Sequence, residues 1–222
     1  MTVDFVYTVM QGIINKNQQG YFKPQDFNNF INLAQYGFLD YLLGEFQSYQ
    51  GGRPVPKVQF GMNESVRQRL TPFIKPPVTL TVDGTGLSPY PSDYQQGDAM
   101  YDVNMNRIRY VPQHKLYSYL GSVIDLIATN PVFEIQSNGF QFYPITQGSA
   151  KLSYVGTPTT IVWGFLPDVN GRPVYNPGTS TDPSWYDVDM QEVIARALKM
   201  VGVNLRAQEV SQYGSEIKQA GQ

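Results

Sequence analysis

The sequence predicts an α+β protein in which N- and C-terminal helices pack together, with a β-rich, hairpin-containing middle and a long proline-rich loop. Three observations predict it. Residues 5–46 and 187–205 repeat apolar side chains at helical spacing. Residues 51–155 break into short β-prone runs punctuated by Pro and Gly. Pro158, Pro167, Pro173, Pro177 and Pro183 forbid any long regular element between Gly156 and Trp185. The expected organisation is an N-terminal helical part over residues 1–50 and a β-rich middle over 51–186, with one helix and the extended loop 156–185. A C-terminal helix and tail over 187–222 complete one helical body with residues 1–50.

Each element has its own reason. Phe5 to Ile14 is an apolar-rich helix, followed by a turn over Asn15 to Gly20. Pro24 suits a first helical position because its missing N–H would be unpaired there anyway. After it Phe27, Ile31, Ala34, Phe38, Leu42 and Phe46 recur every three to four residues, widened by Phe30, Leu39 and Leu43. That stripe predicts a helix of about 20 residues, near 30 Å long. Val78 to Val82 and Arg107 to Val111 alternate with period two, as half-buried strands do. Phe133 to Gln136 and Phe140 to Tyr143 flank Ser137-Asn138-Gly139, whose Asn-Gly pair predicts a hairpin turn with positive φ at both residues. Lys151 to Val155 is a further strand, and His114 to Ile127 the one helix among them.

The last helix starts at Asp187 or Asp189, where Asp189 and Glu192 have capping-box spacing. Met190, Val193, Ile194, Ala197, Leu198, Val201 and Leu205 form its apolar face, and Gly202 with Asn204 marks a break. Beyond it Val210, Tyr213 and Ile217 give a thin apolar stripe on a polar segment. Such a stripe is too narrow for a core and adequate for a groove on a partner. The 30 residues from Gly156 to Trp185 are long for a structureless loop in a lone domain. Draped over a neighbouring subunit, the loop offers Trp163, Phe165, Tyr175 and Trp185 as contact residues.

Composition narrows the chemistry. With 222 residues the chain buries a sufficient core without staples, and the absence of cysteine removes disulfides, thiolate nucleophiles and Cys-ligated metals. No apolar run reaches the roughly 20 residues that span a bilayer, and Met1-Thr2-Val3-Asp4 lacks a signal peptide's basic start. Assembly in a cytosol is expected. Sixteen scattered basic residues against 18 acidic ones give a net charge of −2, which opposes tight nucleic-acid binding, since affinity for phosphate backbone needs clustered cations. Asn and Gln total 33 beside 34 charged residues, with 16 tyrosines. Amides and tyrosines make adaptable subunit contacts, whereas charge keeps monomers apart.

The candidate chemistry is thin. Asn15 to Asp26 has the spacing of a calcium loop, yet one Asp replaces the several carboxylates that give affinity, so a helix–turn–helix hinge is the better reading. His114 is the only histidine; Ser118 lies one turn on, and Asp125 is too far to orient it. Asp83, Asp93, Asp98, Asp102, Asp187, Asp189 and Glu192 supply carboxylates of the kind a glycosidase uses in pairs, but turns and helix starts favour Asp for their own reasons. Gly84-Thr85-Gly86 runs into Leu87-Ser88-Pro89-Tyr90-Pro91, which cannot open the helix that a phosphate loop requires. No enzyme, metal or cofactor is expected. Trp163, Trp185 and the tyrosines from Tyr90 to Tyr101 offer an alternative, a receptor- or glycan-binding module that stacks sugars on aromatic faces.

Three landmarks carry a resemblance. They are Pro91-Ser92-Asp93-Tyr94; Asn130-Pro131-Val132-Phe133 leading through the Asn138-Gly139 turn to Phe142-Tyr143-Pro144; and Leu152-Ser153-Tyr154 followed by Thr157-Pro158 and Trp163. Preceded by the helical entry from Asn17 to Leu33, they resemble virion proteins of crAss-like and related Bacteroidetes tailed phages. More distantly, the chain resembles head–tail connector adaptors, the rings beneath the portal. The resemblance implies a non-enzymatic neck or tail protein assembled in the bacterial host cytoplasm into a homo-oligomeric ring, commonly twelve-fold. It implies portal and neighbouring ring proteins as partners, no membrane, and a lumen that passes DNA without specific binding. The docking residues it implies are Leu205, Val210, Tyr213 and Ile217.

Overall fold

The computed structural model describes residues 1–17, 22–47, 57–120 and 130–204. The chain is α+β and divides into a helical unit, residues 1–72 with 158–222, and a β unit, residues 73–157. The boundaries follow Pro72 and Thr157, where the sequence placed them after residues 50 and 186. The proline-rich segment therefore belongs to the helical unit.

In the helical unit α1 (Val3–Asn17), α2 (Pro24–Gln47), α3 (Lys57–Leu70) and α5 (Asp187–Asn204) contribute the core. α2 packs along α5 and touches α3, and α1 meets α5. The expected stripes are the buried faces: Phe27, Ile31, Ala34, Phe38 and Leu42 on α2, and Met190, Val193, Ala197, Leu198 and Val201 on α5. Burying a side chain of this size is worth about 1.5–3 kcal/mol, so these stripes dominate the stability of the unit.

α5 runs through Gly202 to Asn204, where the described residues end. α3 was not anticipated, because its sequence KVQFGMNESVRQRL is polar, holds a glycine and follows Pro54 and Pro56.

The β unit holds two sheets. In the first, β7 (Ser149–Gly156) is flanked antiparallel by β1 (Ile74–Thr81) and β3 (Tyr94–Tyr101). In the second the order is β2 (Leu87–Ser88), β6 (Gly139–Tyr143), β5 (Val132–Gln136) and β4 (Arg109–Tyr110), with β4 parallel to β5. Both sheets feed one core built from Leu80, Met100, Ile108, Phe140, Phe142, Ala150 and Leu152. α4 (Gln113–Leu120) starts where the sequence placed it, and Leu116 joins Val111 and Val132 in a smaller cluster.

β3 escaped the sequence reading. Gly97 and two register shifts against β7 blur its alternation. The β5–β6 hairpin is present, but Gln136 pairs with Gly139, so the two loop residues are Ser137 and Asn138, and neither has positive φ. Gly139 is needed for another reason. Its φ is 155°, and a Cβ there would sit 2.1 Å from the Ser88 carbonyl oxygen of β2.

The segment from Pro158 to Trp185 is the largest departure from expectation. It is an ordered strap of the helical unit that contains the hairpin β8 (Phe165–Pro167)/β9 (Pro173–Tyr175) and a short 3₁₀ turn at Pro177–Thr179.

Candidate interaction surfaces

The strap is held by a ladder of carboxamides on one face of α2. Asn28 accepts from the Trp163 N–H at 2.8 Å and donates to its carbonyl at 3.4 Å. Asn32 does the same to Ile161, accepting at 2.9 Å and donating at 2.8 Å. Gln35, wholly buried, donates to the Thr159 carbonyl at 3.2 Å and accepts from the Trp185 indole N–H at 3.3 Å. The spacing explains itself. Four helical residues advance about 6 Å and three about 4.5 Å, against about 6.6 Å for two extended residues, so amides at i, i+4 and i+7 come within reach of alternate strap residues. A helix here presents the hydrogen-bonding edge of a strand.

The aromatic residues of the strap turn inward with it. Trp163 stacks on Tyr7 at 4.1 Å and donates its indole N–H to Asp4 at 2.9 Å. Trp185 lies 5.0 Å from Phe38. Both indoles are 4% exposed, so they anchor the strap to its own chain and offer no face to a neighbour or a sugar. Phe165 and Tyr175, paired in the β8–β9 register, are half-buried around Trp163. What faces outward on the hairpin is the other side: Leu166 opposite Val174, with Val169 at the tip fully exposed.

The carboxylates singled out from sequence serve turns and ion pairs. Asp83 and Asp102, and with them Asp168, which the sequence reading did not single out, each accept from the backbone N–H two and four residues on. Each turn then places its fourth residue, Gly86, Met105 or Gly171, at positive φ. Asp83 titrates below the usual carboxylate range, chiefly through the Thr85 hydroxyl, and Asp102 does so chiefly through the Asn106 side-chain amide. The motif was legible: Asp-Val-Asn occurs at 102–104 and again at 168–170.

Asp93 accepts from the Tyr154 hydroxyl at 2.7 Å and pairs with Lys75 at 3.1 Å. The Tyr154 bond is the largest cause holding Asp93 low, and burial foremost lifts Tyr154 to about 12. Asp98 accepts from Ser153 at 3.3 Å.

At the start of α5 the capping-box expectation is corrected. Asp189, 3% exposed, binds Arg69 at 2.6 Å, Glu192 binds Arg196 at 3.0 Å, and Asp187 pairs with the N-terminal ammonium of Met1. Both arginines also sit over the Phe38 ring, at 5.1 and 5.3 Å. The acids are recruited to fasten α3, α5 and the chain start, a demand that outweighs a cap.

His114 is exposed in the first turn of α4, and the Ser118 side chain lies outside the described ones. Asp26 is in the first turn of α2, while the middle of the calcium-like loop lies outside the described residues. So do Leu205, Val210, Tyr213 and Ile217. Among the described residues no three His, Asp or Glu side chains converge as metal ligands. None of the described helices is long and apolar enough to cross a membrane.

No protein-family model matches the chain. No curated protein matches it either.

Proposed function

We propose that the chain is a structural component of a tailed-phage virion, a neck or head–tail connector protein that forms a homo-oligomeric ring and docks to the portal or the next ring. The observation that carries this reading is the mismatch at the C-terminus. The apolar face of α5 is already filled within its own chain, yet a further 18 residues follow with Val210, Tyr213 and Ile217 at helical spacing. That stripe needs a partner surface to bury it. The exposed Leu166, Val169 and Val174 on the β8–β9 hairpin supply a second adhesive feature of the kind assemblies use. The virion landmarks and the amide- and tyrosine-rich composition support the same reading, and a near-neutral charge suits a channel that conducts DNA without gripping it. Negative-stain imaging of the purified chain tests it: closed rings of uniform size are expected, and scattered single particles of subunit size contradict it.

A further inference from the structure

The outward face of α2 is an apolar patch set between acids. Leu33 is 58% exposed and Tyr36 41%, and they are bracketed at helical spacing by exposed Asp26 and Asp40. Residues 24–47 contain no Lys or Arg. Gly37 and Gly44 lie on the same face, and a Cβ at either would meet nothing within 4 Å. Their own fold gives no packing reason for a residue that weakens a helix interior. Gly37, one turn from Leu33, leaves room there for a second helix to approach.

The chain carries a segment of complementary pattern. At helical spacing Arg206, Val210, Tyr213 and Ile217 share one stripe, with Glu209 and Glu216 along one flank and Lys218 further round on the other. The lengths agree: Asp26 to Asp40 spans about 21 Å of helix and Arg206 to Lys218 about 18 Å. Run antiparallel, one register places Arg206 by Asp40, Val210 by Tyr36 and Gly37, Tyr213 by Leu33 and Ile217 by Asn29. The parallel register through the same Tyr213–Leu33 contact sets Arg206 by Asp26 but Ile217 by Gly37, leaving Tyr36 uncovered.

We propose that residues 206–218 of one copy dock as a helix, antiparallel, on the outward face of α2 of an adjacent copy. The inference rests on the homo-oligomeric reading above and names the contact that links successive subunits. Asp40 and Arg206 fix the register, while Leu33, Tyr36 and Gly37 receive the apolar stripe.

The test uses full-length chains whose fold is checked by circular dichroism. A face variant, L33K/G37K, and a tail variant, V210D/Y213D, should each associate at least about tenfold more weakly than the unmodified chain. Mixed, they should form a one-to-one heterodimer and stop, because only one intact face meets one intact tail. Asp40→Arg and Arg206→Asp should each weaken association, and the double variant should restore it. If both variants assemble like the unmodified chain, the docking contact is wrong and the ring reading survives. If the folded variants stay monomeric when mixed, the tail does not dock between copies. Should the unmodified chain itself be a monomer, the ring reading falls and takes the contact with it.

Discussion

Among the described residues the same five-residue turn appears three times, and each time an aspartate closes it with bonds to the backbone two and four residues on. Two of the turns put glycine at the left-handed position; the third puts Met105 there, at φ 65°. That conformation costs an L-residue other than glycine roughly 1–2 kcal/mol. Met105→Gly should therefore stabilise the β unit, by about 0.5–1 kcal/mol after the added freedom of the unfolded chain is deducted. A shift of the urea midpoint upward checks this; a shift downward means the Met105 side chain makes a contact worth more than the strain.

Tyr154 makes a separate prediction at the same scale. Its folded value near 12 lies above the ordinary 10, so the unfolded chain loses this proton first. Stability is whole below pH 10 and declines as pH rises through the interval to about 12. Tyr154→Phe should flatten that alkaline decline when unfolding is followed across pH 9–12; an unchanged slope refutes the assignment.

The carboxamide ladder on α2 decides how the strap is held. Replacing Asn32 with Ala leaves the N–H and carbonyl of Ile161 without their partner in a half-buried position, at a cost of about 1–3 kcal/mol. The expected outcome is earlier proteolysis within residues 158–185 and a lower denaturation midpoint. If cleavage and midpoint match the parent chain, the ladder does not secure the strap.

This is also where sequence reading stopped. The stripe Phe27, Ile31, Ala34, Phe38 and Leu42 announced a buried helix because burial needs only periodicity. Asn28, Asn32 and Gln35 carry an equally regular spacing, but polar residues on a helix ordinarily read as solvated. Their role emerges only when an extended segment more than 120 residues away supplies the other half. For the same reason Trp163 and Trp185 were read as outward contacts, since five prolines hid an ordered segment. Asp189 was read as a cap because Arg69, its partner, lies 120 residues away.

On the scale of the whole molecule the helical and β units each close a core of their own, and the α+β class with helical ends was legible throughout. The candidate surfaces were legible only in part. The tail stripe at Val210, Tyr213 and Ile217 is visible in the sequence, whereas the exposed Leu33–Tyr36 face of α2 and the Leu166–Val174 face of the hairpin required the fold, because periodicity does not say which apolar residues stay outside. Fourteen of every hundred residues are aromatic, and most of those described pack inward, while the exposed apolar side chains are spread along the chain from Phe5 to Val188.

The mass of the purified full-length chain in solution, measured across concentration, tests the central claim most directly. A single discrete multiple of the 25.0 kDa chain, twelve for the ring that the resemblance implies, is the expected result. A 25.0 kDa monomer at every concentration would contradict it.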